Sequence, residues 1–86
     1  MFKISRSLSR GWVLFCLSGR IDAEAVSELR SLLAKEPAGR KLLLDLRGVQ
    51  IVDAEAVEYF MNCEDAGMRL RNCPAYVREW IANRRR

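Results

Sequence analysis

The chain contains no histidine and no threonine, and its six serines all lie within the first 31 residues, ending at Ser31. The commonest general base and the commonest zinc ligand are therefore missing. The three cysteines, Cys16, Cys63 and Cys73, form no CxxC pair, and we interpret them as reduced thiols. We expect no metal site, no cofactor and no catalytic activity.

Long apolar runs are also absent. No stretch approaches the length of a membrane span, and the N-terminal segment MFKISRSLSR lacks the apolar core of a signal peptide. This pattern predicts a cytoplasmic protein. The length of 86 residues, half of them apolar, predicts one globular domain over residues 1–83, followed by a basic tail at residues 84–86.

The net charge of +4 raises the question of a nucleic-acid partner. Much of the excess lies in Arg84–Arg86, and we interpret this run as a solvated tail. A small basic nucleic-acid-binding protein stays an alternative. Its binding would weaken steeply with rising salt and with deletion of the tail.

Hydrophobic periodicity predicts an α/β fold with the order β-β-α-β-α-β-α, in which helices pack on a four-stranded mixed sheet. Phe2–Ser9 alternates like an edge strand, which makes pairing into a homodimer conceivable. Trp12–Leu17 is nearly all apolar, so we expect a central strand covered on both faces and joined to the first by a tight hairpin. The remaining elements are predicted as a helix at 23–36, a strand at 41–46, a helix at 54–66, a short strand at 68–72 and a last helix from Pro74.

One pentapeptide occurs twice. The residues DAEAV stand at Asp22–Val26 and again at Asp53–Val57, 31 positions later. Each copy follows an apolar strand that leaves through a glycine, Gly19 or Gly48, and each opens an amphipathic helix with an aspartate suited to the N-cap. Two such units predict parallel strands joined by right-handed crossovers.

Four segments of the chain resemble a STAS domain, the fold of bacterial anti-sigma factor antagonists. They are Leu17–Asp22 (LSGRID), Leu43–Val49 (LLDLRGV), Ile51–Asp53 (IVD) and Gly67–Leu70 (GMRL). These short segments stand in the right order and with the right spacing, and the resemblance that they carry extends over nearly the whole chain. The resemblance implies a non-enzymatic protein that binds a serine-kinase-like anti-sigma factor and is switched off by phosphorylation. Family members that dock on the ATPase of an ABC transporter are the alternative.

This chain departs from the family at the phosphorylation site. The family pattern is Asp-Ser-Ser-Gly-Leu, and its second serine accepts the phosphate, whereas Asp53–Val57 places Glu55 there. The position is therefore not phosphorylatable. Glu55 is either a fixed phosphate-like charge or an ordinary first-turn residue, as Glu24 is in the first copy of the repeat.

The predicted partner-binding surface joins the turn after the second strand to the loop Leu46–Ala56 and the first turn of the next helix. Its residues are Gly19, Arg20, Asp22, Arg47, Gly48, Asp53, Ala54, Glu55 and Ala56. A magnesium site made of Asp45, Asp53 and Glu55 is a further alternative, although we expect Asp45 to satisfy backbone groups at the end of its strand.

Overall fold

The computed structural model describes residues 1–86 and contains four strands and three helices. The elements are β1 (Phe2–Ser9), β2 (Trp12–Ile21), α1 (Ala23–Ala34), β3 (Lys41–Val52), α2 (Ala54–Asp65), β4 (Arg69–Arg71) and α3 (Ala75–Arg84). The predicted element order is confirmed. None of the helices is long and apolar enough to cross a membrane.

The four strands form one sheet in the order β1-β2-β3-β4. The β1–β2 hairpin is antiparallel and turns through Arg10 and Gly11, which both have positive φ angles (50° and 87°), as a type I′ two-residue turn requires. β2, β3 and β4 are parallel. The mixed four-stranded sheet predicted from the sequence is thus confirmed, as is the antiparallel hairpin.

All three helices pack on the same face of the sheet. The strands from β2 to β4 advance in one direction across the sheet, so right-handed crossovers place α1 and α2 on the same side. Helix α3 follows β4 and packs beside α2, with Val77 and Ile81 in the same core. The core is a single cluster of 17 buried residues, all of them hydrophobic, and every helix contributes to it. The largest fully buried side chains are Phe15 of β2 and Phe60 of α2.

The prediction that β2 is covered on both faces is wrong. Val13, Phe15 and Leu17 are buried, whereas Trp12, Leu14 and Cys16 on the opposite face are only partly buried. The second face of β2 is apolar as well, because Trp12, Leu14 and Cys16 form a partly buried row on it. No helix covers that face.

The prediction of a loop from Leu46 onward is also wrong, because β3 continues to Val52. The pairing of β2 with β3 shifts register twice, between Cys16 and Ser18 and between Gly19 and Arg20, and these irregularities absorb the extra residues of β3. Gly48 lies inside the strand at the point of closest approach. A Cβ atom added there would lie 2.7 Å from the Cβ of Ser18, so β2 leaves no room for a side chain.

The C-terminal arginines are part of the helical layer. Arg84 is the last residue of α3, so the boundary expected at residue 83 lies within this helix. Arg84 pairs with Glu58, and Arg85 pairs with Glu64 and Asp65. Two of the three arginines of the predicted tail are therefore held against α2.

Candidate functional site

Helices α1 and α2 begin in the same way at the carboxyl ends of β2 and β3. Asp22 accepts a hydrogen bond from the backbone N–H of Ala25 at 3.1 Å, and Asp53 accepts one from Ala56 at 2.9 Å. The N-cap prediction is confirmed for both aspartates. Because β2 and β3 are neighbours, the two helix starts lie side by side, and the backbone N–H of Asp53 donates to the carbonyl oxygen of Ile21.

The first turn of α2 carries Glu55 at the surface. Its carboxylate makes no hydrogen bond or ion pair within the chain, although Ala56 beside it is fully buried. Glu55 borders an open depression of about 330 Å³, whose other lining residues are Arg30, Ala54, Glu58, Tyr59 and Asn62. The guanidinium carbon of Arg30 lies 5.1 Å from the centre of the Tyr59 ring, a cation–π contact that joins α1 to α2.

Two groups at or near this depression, the Tyr59 phenol and the Cys63 thiol, have raised pKa values. Burial raises the pKa of the Tyr59 phenol, and burial also raises the pKa of the Cys63 thiol one helical turn later. Both groups therefore stay protonated at neutral pH, and neither is activated as a nucleophile. The depression presents carboxylates, an amide and a guanidinium, which are groups suited to binding a polar surface.

A second depression, of about 370 Å³, lies on the other side of the sheet. It is bordered by Arg47 and Gly48 of the predicted surface, together with Lys3, Ser5, Cys16, Leu17, Ser18 and Asp45. Asp45 accepts hydrogen bonds from the backbone N–H of Arg47 at 3.0 Å and from the side-chain amide of Asn72 at 3.1 Å. Its carboxylate satisfies a backbone group, as expected, but Asp45 lies within β3 and not at the end of the strand.

The structure divides the predicted binding surface into two parts. Asp22, Asp53, Ala54, Glu55 and Ala56 belong to the helix starts, with Ala56 buried beneath them. Arg47 and Gly48 face the uncovered side of the sheet with Asp45, and Arg20 lies on the same side, opposite Ile51. Gly19 lies at the junction, where its φ angle is +85° and an added Cβ would lie 2.4 Å from the carbonyl oxygen of Met1.

Sequence reasoning missed the residues contributed by neighbouring elements. Arg30 and Tyr59 were not predicted to border Glu55, and Lys3 and Ser5 of β1 were not predicted to join Arg47. The alternation of β1 was a usable signal, because an antiparallel partner places its exposed residues on the same face as those of β2. No local pattern in the sequence links Arg30 to Tyr59.

The three carboxylates of the magnesium alternative are not brought together. Asp45 faces the uncovered side of the sheet and Asp53 caps α2. No group of three or more histidine, cysteine, aspartate or glutamate side chains is arranged so that it could hold a metal ion.

Comparison with known proteins agrees with this geometry. No protein-family model and no curated protein sequence matches the chain. Among solved structures, the chain is similar to the crystal structure of an anti-sigma-factor antagonist, a STAS domain from Rhodobacter sphaeroides. The TM-score is 0.63 at 15% sequence identity, over 83% of this chain and 86% of the other. The fold is that of a STAS domain. The resemblance noted in the sequence is thereby confirmed at the level of the fold.

Proposed function

We propose that this protein is a non-enzymatic interaction module of the bacterial cytoplasm that acts like an anti-sigma factor antagonist and binds a kinase-like anti-sigma factor. The observation that carries the proposal is the STAS fold together with the exposed start of α2. The resemblance to the family pattern implies that Glu55 takes the place of the phosphate acceptor. Helix α2 begins with a capped, ordered turn, which offers a partner a rigid surface at low entropic cost.

The proposed contact surface combines the helix starts with the end of the sheet. Asp22 and Asp53 hold the two first turns in place, and Glu55 supplies a charge that no backbone or side-chain group neutralises. Arg20 and Arg47 supply cations at the rim on the sheet side. Ala54 keeps the exposed side of the first turn of α2 small, so a partner surface would approach the helix closely, and the buried Ala56 packs that turn against the core.

The absence of serine and threonine after Ser31 removes phosphorylation of this surface from the mechanism. A phosphate group at a helix N-terminus adds about −1.5 to −2 charge, whereas a glutamate adds a permanent single charge. Under the proposal, regulation by a kinase is lost at this position. Partner binding then depends on Glu55 either as a fixed inhibitory charge or as a part of the contact surface.

The repeated pentapeptide provides a matched control for this proposal. Glu24 and Glu55 occupy the same position after the N-cap in the same five residues, and both are exposed. A change that acts only through helix stability should therefore have the same effect at both positions. A change that acts through a partner seated at the depression should be larger at Glu55, because Glu24 borders no depression.

The test is affinity capture from a bacterial lysate, with partners identified by mass spectrometry, followed by binding titrations on the purified pair. The variants are Glu55→Ser, Glu55→Ala and Glu55→Lys, with the same three changes at Glu24 as controls. We expect capture of a kinase-like anti-sigma factor, and we expect an affinity change of about five-fold or more at Glu55 and less than two-fold at Glu24. Tighter binding by Glu55→Ala would identify an inhibitory charge, and weaker binding would identify a contact.

Two outcomes would contradict the proposal. Capture of an ABC-transporter ATPase would assign the module to the alternative branch of the family. Equal effects at Glu24 and Glu55 would show that Glu55 acts only on the helix, and the binding surface would have to lie elsewhere on the molecule.

A further inference from the structure

Charges in this protein are segregated between the sheet and the helices. The four strands carry seven cationic residues and one acidic residue, Asp45. Helix α2, in contrast, carries four acidic residues and no cation. The net charge of +4 therefore understates the positive charge of the sheet. An asymmetric distribution of this kind directs an anionic partner to one side of the molecule.

Strand register places most of these cations on the face that no helix covers. Residues of β2 and β3 that flank the buried positions point away from the core, and so do their partners in β1 and β4. We call this surface the open sheet face. Its cations within the strands are Lys3, Arg20, Lys41, Arg47, Arg69 and Arg71.

None of these cations is neutralised by an ion pair. Every salt bridge of the protein involves Arg6, Arg78, Arg84 or Arg85, and none of these four lies on the open sheet face. Asp45, the one acidic residue of the face, already accepts hydrogen bonds from Arg47 N–H and from Asn72. The cations are consequently free to bind an external anion.

An aromatic ring lies among these cations. The Nζ of Lys41 and the guanidinium carbon of Arg69 each lie 5.6 Å from the centre of the Trp12 ring. Trp12, Leu14 and Leu43 form a partly buried apolar floor, and they border a depression of about 260 Å³ together with Ser9, Arg10, Arg69 and Arg71. Cations beside a partly exposed aromatic ring and an apolar floor are typical of surfaces on which unpaired bases stack.

The dimensions of the face suit an extended polyanion. From the Trp12 row to the Ser18 row, β2 runs for about 20 Å at the rise of a β-strand. Side chains on one face recur every two residues, about 6.6 Å apart, which is comparable with the spacing of phosphates along an extended single strand. Ser5, Ser7 and Ser9 alternate along the neighbouring β1 strand and add hydroxyl donors of the kind that contact phosphates.

We propose that the open sheet face binds single-stranded nucleic acid, with the phosphates on the arginines and lysines and a base against Trp12. This site lies apart from the helix starts assigned to the protein partner and shares only the rim residues Arg20 and Arg47 with that surface. The proposal does not depend on that function. A duplex buries its bases in the stack and would leave the apolar floor around Trp12 without a partner. An acidic peptide would satisfy the cations but not the aromatic and apolar floor.

The experiment measures binding of fluorescein-labelled oligothymidylate by anisotropy across a salt series, with the full chain. Arg69→Gln combined with Arg71→Gln removes two cations from the face. Arg84→Gln combined with Arg85→Gln removes two cations from the helical layer and serves as the control of equal net charge. We expect the first pair to weaken binding about ten-fold or more, and to reduce the slope of log K against log salt by about 0.7 per lost phosphate contact. The control pair should change affinity less than two-fold.

The role of Trp12 has a separate readout. The chain contains two tryptophans, so the variant Trp80→Phe leaves Trp12 as the sole source of tryptophan fluorescence. Oligothymidylate should quench that fluorescence, and Trp12→Leu should weaken binding about five-fold or more, because base stacking on an aromatic ring is lost. Far-ultraviolet circular dichroism of each variant checks that the fold is retained.

Four results would overturn the proposal. The first is that the wild type does not bind oligothymidylate at low salt, and the second is that the two arginine pairs lose equal affinity. The third is that the protein prefers a duplex of the same length. The fourth is that polyglutamate or anionic phospholipid vesicles displace oligothymidylate at a lower concentration of negative charge than unlabelled oligonucleotide does. The last result would assign the face to an acidic protein or to a lipid surface.

Discussion

The two DAEAV segments have the same sequence and the same backbone but different surroundings. The N-cap residues Asp22 and Asp53 have φ angles of −111° and −107°, and each accepts from the N–H three residues later. Yet only the second copy borders a surface depression, because Arg30 of α1 and Tyr59 of α2 enclose the space beside Glu55. A pentapeptide thus determines a helix start, and the neighbouring helix determines what that start presents to a partner.

The strands that lead into the two segments also differ. Both glycines lie inside their strands, but Gly19 of β2 has a positive φ angle and lies against the backbone of Met1, whereas Gly48 of β3 packs against Ser18. The same residue type therefore serves backbone conformation in one unit and close strand packing in the other. Internal similarity in sequence does not guarantee that two glycines have the same role.

The largest effect should come from the core positions that follow the two caps. Leu29 and Phe60 each lie seven residues after their capping aspartate, and both are buried. Phe60→Ala should lower the free energy of unfolding by about 3–5 kcal/mol, and Leu29→Ala by about 2–5 kcal/mol. We expect the loss at Phe60 to be larger, because α2 packs against both α1 and α3.

Urea unfolding followed by circular dichroism measures both values. A larger loss of unfolding free energy for Leu29→Ala than for Phe60→Ala would contradict the expectation that the core around α2 contributes more to stability than the core around α1.

A smaller and equal effect is expected at the caps. Asp22→Ala and Asp53→Ala each remove the acceptor for one backbone N–H of a first turn, so each should cost about 1 kcal/mol of unfolding free energy. Asp→Asn at the same positions keeps an acceptor and serves as the control. Thermal and urea unfolding of the four variants measures these losses. A difference of more than about 1 kcal/mol in unfolding free energy between the two alanine variants would show that the two caps are not equivalent.

The smallest effect concerns the segment after α1. Glu36 binds Arg6 of β1 at 2.8 Å, and the hydrogen bond from this guanidinium lowers the pKa of the Glu36 carboxyl below its ordinary value of 4.5. A lowered folded-state pKa stabilises the protein above the ordinary value, and this contribution is lost as the pH falls through the lowered value. The stability difference between the wild type and Arg6→Gln should therefore be present at neutral pH and vanish in acid.

Urea midpoints measured from neutral pH down to below the ordinary carboxyl pKa check this expectation. Glu36→Gln provides the control, because it should show no further change on adding Arg6→Gln at any pH. A stability difference that grows as the pH falls would contradict the assigned role of the pair.

Sequence patterns were sufficient for the elements and their order, and they failed where two strands meet. The capping aspartates, the hairpin turn at Arg10–Gly11 and the buried stripe of α2 follow from local periodicity and turn chemistry. The extension of β3 to Val52 could not be predicted, because it depends on register shifts in the pairing with β2. The same holds for Glu55 and Arg47, which are close in sequence but lie on different sides of the molecule.

The sequence by itself determined the α/β class, the two helix starts and the absence of serine and threonine from the start of α2, because each of these depends on the residues of short segments. The tertiary structure alone decided that all helices share one face of the sheet, since that outcome depends on strand order and crossover handedness. It thereby decided that the cations of the strands gather on the uncovered side, around Trp12, while the acidic residues of α2 lie on the other. Charge composition is local, but the surface on which charges meet is a property of the fold.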